Sequence, residues 1–201
     1  EPDEEAGLSH FLEHMLFKGA SRRPTAREIS EAIESVGGSH NAATDRELTV
    51  YYAKVPHTAA METIDILADM IRAPIMDPAE LAKERSVILE ELASVEDSPG
   101  ELAGILIDET LWPGQPIGRN VGGSPDSVSS LPISAVNAYL ARQYVPENTV
   151  LAVAGNVNHE EVVAAAERWL GAVPKQAPGA WYPATARNGT AAASTTCVSK
   201  I

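Results

Sequence analysis

Cysteine is almost absent from this sequence: Cys197 stands alone among 201 residues. A lone thiol cannot form an intrachain disulfide, so nothing here demands an oxidising compartment. Long apolar runs are missing too. Every hydrophobic stretch breaks off well before the roughly 18 consecutive residues that span a bilayer, so no membrane span is predicted. Basic residues are scarce, with 15 Lys and Arg against 28 Asp and Glu for a formal net charge of −13. Nucleic acids and anionic membranes are polyanions, so this balance disfavours both and leaves cationic ligands as the class attracted. No internal repeat is visible.

What is present is the composition of a globular protein, 44% hydrophobic and 21% charged, in a chain long enough for one large domain with a real core. The ends read as cuts in a longer polypeptide. The chain opens on "EPDEEAG" without a methionine and stops in "TTCVSKI", strand-like residues with no closing turn. No targeting segment then sets the compartment, and the expected one follows the source: cytoplasm if bacterial, mitochondrial matrix if eukaryotic.

Leu8, Phe11, Leu12, Met15 and Leu16 recur at helical spacing and predict a helix from Gly7 to Phe17. A second helix starts at Thr25, which with Glu28 forms a capping box, and ends at Gly37-Gly38. "ELTVYYAKV" (47–55) is rich in β-branched and aromatic residues and reads as a strand. Helices follow in "HTAAMETIDILADMIRAP", with Met61, Ile64, Leu67 and Ile71 on one side, in "PAELAKERSVILEELASV" from Pro78, and in "GELAGILIDETLW". "PGQPIGRNVGGSPDSVSSLP" reads as a long loop, followed by "SAVNAYLARQY". Contiguous Val150, Leu151, Ala152 and Val153 make "NTVLAVAGNV" a buried strand, and Asn158 opens a last helix. From about Pro174 the chain is linker-like. Helices and strands do not alternate strictly, so the class is α+β.

The chemistry concentrates in "HFLEH". His10 and His14, four apart on a helix, project from one face and reach a common metal ion. Glu13 falls beside such an ion rather than on it, where a carboxylate takes a proton from water. "H-x-x-E-H" is the inverse of the commoner zinc-peptidase helix motif. Zinc lowers the pKa of bound water to about 7, and the carboxylate completes the nucleophile. Catalytic zinc normally takes three protein ligands, so a third is needed. At about 100° per residue, Leu81, Ile88, Leu92 and Val95 define an apolar stripe on the fourth helix. Glu84 and Glu91 fall on or beside that stripe, while Glu90 points away with Lys83 and Arg85 on a solvated face. A buried carboxylate needs a partner, and a metal supplies one. Glu84 and Glu91 lie about 10 Å apart along the helix, so only one is a direct ligand. Glu91 takes that role, and Glu84 supports it by orienting a histidine or holding a proton.

"GLSHFLEHMLFKGA", "GGSHNAATDRELTVYYAKV", "ERSVILEEL" and "YVPENTVLAVAGNV", in this order, resemble the pitrilysin/insulinase family of zinc metallopeptidases, most closely its mitochondrial-processing-peptidase-like branch. The resemblance runs from Glu1 to about Val173. It implies an α+β metalloenzyme domain, mainly antiparallel sheet with helices packed on it, over residues 1–173, with 174–201 as a linker and the first strand of a missing second domain. It implies one Zn²⁺ on His10, His14 and Glu91, Glu13 as general base and Glu84 as the supporting glutamate. The strand entered through "NAATDRELTV" would be an edge that takes up extended peptide substrate, with Asn41 and Ala42 in contact. On the residues alone, those two read equally as a turn before a strand. His40, His57 and His159 match no ligand position and are expected at the surface.

In that family a second, similarly folded domain closes over the substrate and contributes an arginine and a tyrosine. A second domain or a partner subunit is therefore expected to complete the site. The function implied is a zinc-dependent metalloendopeptidase acting on extended peptides or small unfolded proteins, with basic peptides favoured by the −13 charge. Two other classes compete. A non-catalytic assembly subunit is disfavoured because His10, Glu13, His14 and Glu91 are all present. A carbon–sulfur lyase of the S-ribosylhomocysteine type would need a cysteine ligand, and Cys197 sits in the linker-like tail.

Overall fold

A computed structural model describes residues 1–180 and 182–185 of the chain. Glu1 folds back over the start of the first helix, where its carboxylate accepts from the backbone N–H groups of Gly7 (3.0 Å) and Ser9 (2.5 Å). It thereby satisfies two of the donors that a helix N-terminus leaves unpaired. That helix, α1 (Leu8–Leu16), buries Leu8, Phe11, Leu12, Met15 and Leu16 completely. Each such side chain contributes about 1.5–3 kcal/mol of burial free energy, which makes α1 the centre of the core.

The remaining elements are α2 (Ala26–Glu34), β1 (Ser39–Thr44), β2 (Thr49–Lys54), α3 (Ala60–Arg72), α4 (Pro78–Asp97), α5 (Pro99–Leu111), α6 (Pro125–Ser130), α7 (Ile133–Gln143) and α8 (His159–Leu170). The capping box at Thr25 and Glu28 forms, and Asp77 caps α4 with Pro78 at its first position. Leu81, Ile88 and Leu92 of α4 pack on α1 together with Val128 of α6, Leu131 and Val136 of α7. A second cluster joins Ile29 and Ile33 of α2 to Ile66 and Met70 of α3. The architecture is α+β: helices packed around an antiparallel hairpin, with β1 and β2 the only sheet among the described residues.

The hairpin turns its even-numbered β1 residues toward α1. Ala42 is buried and His40 and Thr44 are half-buried, whereas Ser39, Asn41 and Ala43 are exposed. Asn41 and Ala42 therefore belong to a strand, paired with Tyr52 and Tyr51, and the turn comes later, closed by Asp45 N–H to Leu48 C=O at 2.8 Å. "SHNAAT" carries almost no β-branched residues, which is why only its partner strand is legible from composition.

Several local expectations are corrected. The stretch 113–132 is not all loop: Ser124 and Ser127 form a capping box and start α6. The buried strand expected at 148–157 is not a strand. A single 3-10 turn at Pro146–Asn148 leads into an irregular segment in which Val150 is 90% exposed. A strand needs an edge to pair with, and among the described residues none pairs with this segment, whose Val150 and Leu151 line a cavity of about 670 Å³ together with Val50 and Tyr51. The apolar face of α3 is wider than its stripe, because α3 packs on α2 and β2 and also on α8. Asp69 of α3 is buried, where it accepts from Ser21 Oγ and Arg22 N–H, both at 3.0 Å. Arg85 is not on a solvated face: it donates to the carbonyls of Val128 and Leu131, at the end of α6, and covers the Phe11 ring. His40 is half-buried with its ring 5.5 Å from that of Phe17, while His57 and His159 are exposed. The segment 186–201, with Cys197 and the expected strand at the chain end, lies outside the described residues.

Candidate metal centre

One turn of α1 separates His10 from His14, and their rings meet edge to face with centroids 4.7 Å apart. Helix α4 runs past α1 in the opposite direction, so that its successive turns address successive turns of α1. Glu91 faces both histidines, and Glu84, two turns earlier, faces His14 and Lys18. The backbone permits this close assembly at a glycine contact. Gly7 has φ 89°, and a Cβ there would lie 2.5 Å from the Gly122 carbonyl; Gly123 has φ 80°, and its Cβ would lie 2.5 Å from the Ala6 carbonyl. Only glycine adopts these angles at no cost and leaves room for the two backbones. The loop so placed lies beside His10.

Three donor atoms converge. His10 Nε2 and His14 Nε2 are 3.3 Å apart, and Glu91 Oε2 lies 3.8 Å from the first and 3.6 Å from the second. A tetrahedral ion with bonds of about 2.0–2.2 Å has ligand–ligand edges of about 3.3–3.6 Å, so the donor set fits one zinc ion. Two imidazoles and one carboxylate are also the donor chemistry that suits zinc. His14 Nδ1 meets Glu84 Oε2 at 3.1 Å, which places the ring proton on Nδ1 and leaves Nε2 with its lone pair toward the cluster. Burial, and then the neighbouring His14, lower the pKa of His10 against the opposing pull of Glu13 and Glu91. The neutral imidazole, the ligand form, is thus favoured. His10 Nδ1 is buried without a hydrogen-bond partner among the described residues.

Glu84 is the buried acid of the group, its side chain only 8% exposed, and its second oxygen is 2.5 Å from Lys18 Nζ. Glu91 is 47% exposed, so the cluster opens to solvent on that side. Glu13 is outside the donor triangle and, among the described residues, makes no ion pair. Its carboxylate accepts a hydrogen bond from the hydroxyl of Thr44 on β1.

A family model described as Insulinase (Peptidase family M16) matches residues 1–124. The chain belongs to this family. A second family model, described as Peptidase M16 inactive domain, matches residues 130–197. His10, Glu13, His14, Glu84 and Glu91 all fall within the first match and none within the second. A protein of Rickettsia felis described as an uncharacterized zinc protease is 38% identical over 184 residues, 92% of this chain and 44% of its own. The probable beta subunit of the mitochondrial-processing peptidase of Arabidopsis thaliana is 40% identical over 163 residues, 81% of this chain and 30% of its own. The crystal structure of pitrilysin matches with a TM-score of 0.78 at 28% identity, over 92% of this chain and 20% of its own. The chain thus spans less than half the length of these relatives. The insulinase/pitrilysin resemblance carried by "HFLEH" and the α+β class that it implies are borne out.

Of the residues singled out in the sequence, the structure brings His10, His14 and Glu91 into one cluster with Glu84 behind His14 and Glu13 alongside. Asn41 and Ala42 lie on β1 outside it; Asn41 is exposed and its Oδ1 accepts from the Ala42 N–H at 2.9 Å. Lys18 and Thr44 were not singled out. Lys18 sits four residues after His14, just past the end of α1, a spacing that was legible. Thr44 reaches Glu13 only through the packing of the hairpin on α1.

Proposed function

We propose that this chain is the zinc-holding part of a metalloendopeptidase that hydrolyses peptide bonds in extended peptides or small unfolded proteins. The observation that carries the proposal is the triangle of His10 Nε2, His14 Nε2 and Glu91 Oε2, with edges of 3.3–3.8 Å, and the Glu13 carboxylate beside it. His10, His14 and Glu91 would hold the ion, one per domain. Bound zinc supplies Lewis acidity, which brings the pKa of a water down to about 7 and polarises a carbonyl. Glu13, one residue from a ligand, takes the proton of the attacking water and returns it to the leaving amine. Glu84 keeps His14 in the tautomer that ligates, and Lys18 compensates the charge of Glu84.

Substrate adds as a further strand to the free edge of β1, near Asn41 and Ala42, so that backbone hydrogen bonds supply affinity with little sequence demand. Net charge of −13 favours peptides carrying basic residues. A second homologous domain or a partner subunit completes the chamber. Two features support this: the chain spans less than half of its relatives, and one relative is itself named as a subunit.

The test is Glu13→Gln in the protein assembled with the second domain or partner subunit that completes the chamber. Zinc content by atomic absorption stays at about one per chain while cleavage of a quenched-fluorescence extended peptide disappears, as expected when a general base worth about 10²–10⁴ in rate is removed. A Glu13→Gln variant that cleaves at the unaltered rate overturns the proposal.

A further inference from the structure

Thr44 closes the hairpin. It is the last residue of β1, pairs in register with Thr49 at the start of β2, and faces α1 by strand parity. Its hydroxyl proton goes to Glu13 Oε2, and among the described residues this is the only side-chain hydrogen bond to that carboxylate. The hydroxyl of Thr49 lies 3.3 Å from that of Thr44. The Thr49 hydroxyl also hydrogen-bonds Tyr144, so Thr44 stands at the end of a row of hydroxyls behind Glu13. A β-branched side chain also has few χ1 positions open to it, which aims Oγ1 before any ligand arrives.

We propose that Thr44 is a positioning residue for Glu13. Its hydroxyl holds Oε2, fixes the plane of the carboxylate, and leaves Oε1 free to take up a proton. The inference rests on the proposed function only in treating Glu13 as the base. Glu13 is joined to the helix by rotatable bonds, and without this tether the carboxylate turns about them and loses its orientation toward the reacting water. The arrangement also joins two tasks on one strand. The odd-numbered residues and free edge of β1 face outward, where substrate would add, while the even-numbered Thr44 reaches inward to the base. A peptide that orders β1 therefore steadies the base as well.

The experiment compares Thr44→Val, which keeps the β-branched shape and removes the hydroxyl, with Thr44→Ser, which keeps the hydroxyl. With Thr44→Val, kcat for an extended peptide falls about 10- to 100-fold, part of what a general base supplies, and KM stays within about twofold. Zinc content and the urea unfolding midpoint stay at the level of the unaltered protein, and Thr44→Ser stays within about threefold in kcat. A crystal structure of Thr44→Val shows the Glu13 carboxylate rotated or in more than one orientation. Glu13 unmoved in that structure overturns the proposal whatever the rate does, and so does an unchanged kcat. If the unaltered protein, assembled with the second domain or partner subunit that completes the chamber, binds zinc and cleaves nothing, the peptidase proposal fails by itself, and the crystal structure still decides whether Thr44 holds the carboxylate.

Discussion

Lys18 and Glu84 form an ion pair, Nζ to Oε1 at 2.5 Å, one helical turn beyond the second histidine. The other oxygen of the same carboxylate is 3.1 Å from His14 Nδ1, so one buried acid links a surface-reaching cation to a metal-site imidazole. Partners in this position typically change metal affinity about 10- to 100-fold when lost. Lys18→Met and Glu84→Gln should each weaken zinc binding by about that range, and Glu84→Gln the more, because it alters the group that touches His14. Competition with a chromophoric chelator measures this, and wild-type affinity in both variants would show that the pair is only structural.

A second prediction concerns alkaline stability. Burial raises the pKa of Tyr51, helped by the adjacent Tyr144, and pushes Tyr144 itself up to about 12. The two hydroxyls are 2.8 Å apart. An unfolded tyrosine ionises near 10, so between about pH 10 and 12 the unfolded chain loses protons that the folded chain retains. Stability is complete below about pH 10 and falls as pH climbs toward 12. The urea midpoint should drop across this window, and less steeply in a Tyr51→Phe, Tyr144→Phe double variant. Parallel curves would refute the assignment.

Asp69 anchors the turn after α1 to α3. Both oxygens are engaged, by Ser21 Oγ, by the Arg22 N–H and side chain, and by Arg23 Nη1 at 3.6 Å. Removing one member of a buried charged group leaves the others unpaired, at a cost of about 3–5 kcal/mol when burial is complete. Arg22 is more than a third exposed, so Asp69→Ala should cost less, about 2–3 kcal/mol, read from the urea midpoint. A loss below about 0.5 kcal/mol, the usual size of a surface substitution, would mean that water replaces the carboxylate without penalty.

Charge makes a fourth prediction. On the proposed peptidase function and with a net charge of −13, the assembled protein should process a lysine-rich extended peptide faster than a matched glutamate-rich one at low salt. The ratio of kcat/KM should shrink toward unity as ionic strength rises and the screening length drops to about 8 Å or less. Equal rates at low salt would remove charge as a determinant.

The grouping of His10, His14 and Glu91 was legible because its geometry is almost wholly helical. Spacing along α1 fixes that His10 and His14 share a face, and the stripe of Leu81, Ile88 and Leu92 fixes which acids of α4 turn toward α1. What sequence could not supply were contacts made across elements. Arg85 looks solvated until α6 presents its terminal carbonyls, and Thr44 carries no signal until the hairpin docks on α1. Contiguous apolar residues at 150–153 have the composition of a buried strand, but composition does not provide an edge to pair with, and Val150 is left exposed.

That unmatched pairing bears on how the chain behaves in bulk. Strand β2 pairs with β1 alone among the described residues, and Leu48, Val50, Tyr52 and Val150 present apolar surface nearby. A free row of backbone donors and acceptors next to exposed apolar groups is a template for other copies of the chain. Mutual repulsion between copies that each carry −13 charges opposes this contact. Salt, or acid near the isoelectric point of about 4.7, weakens that repulsion.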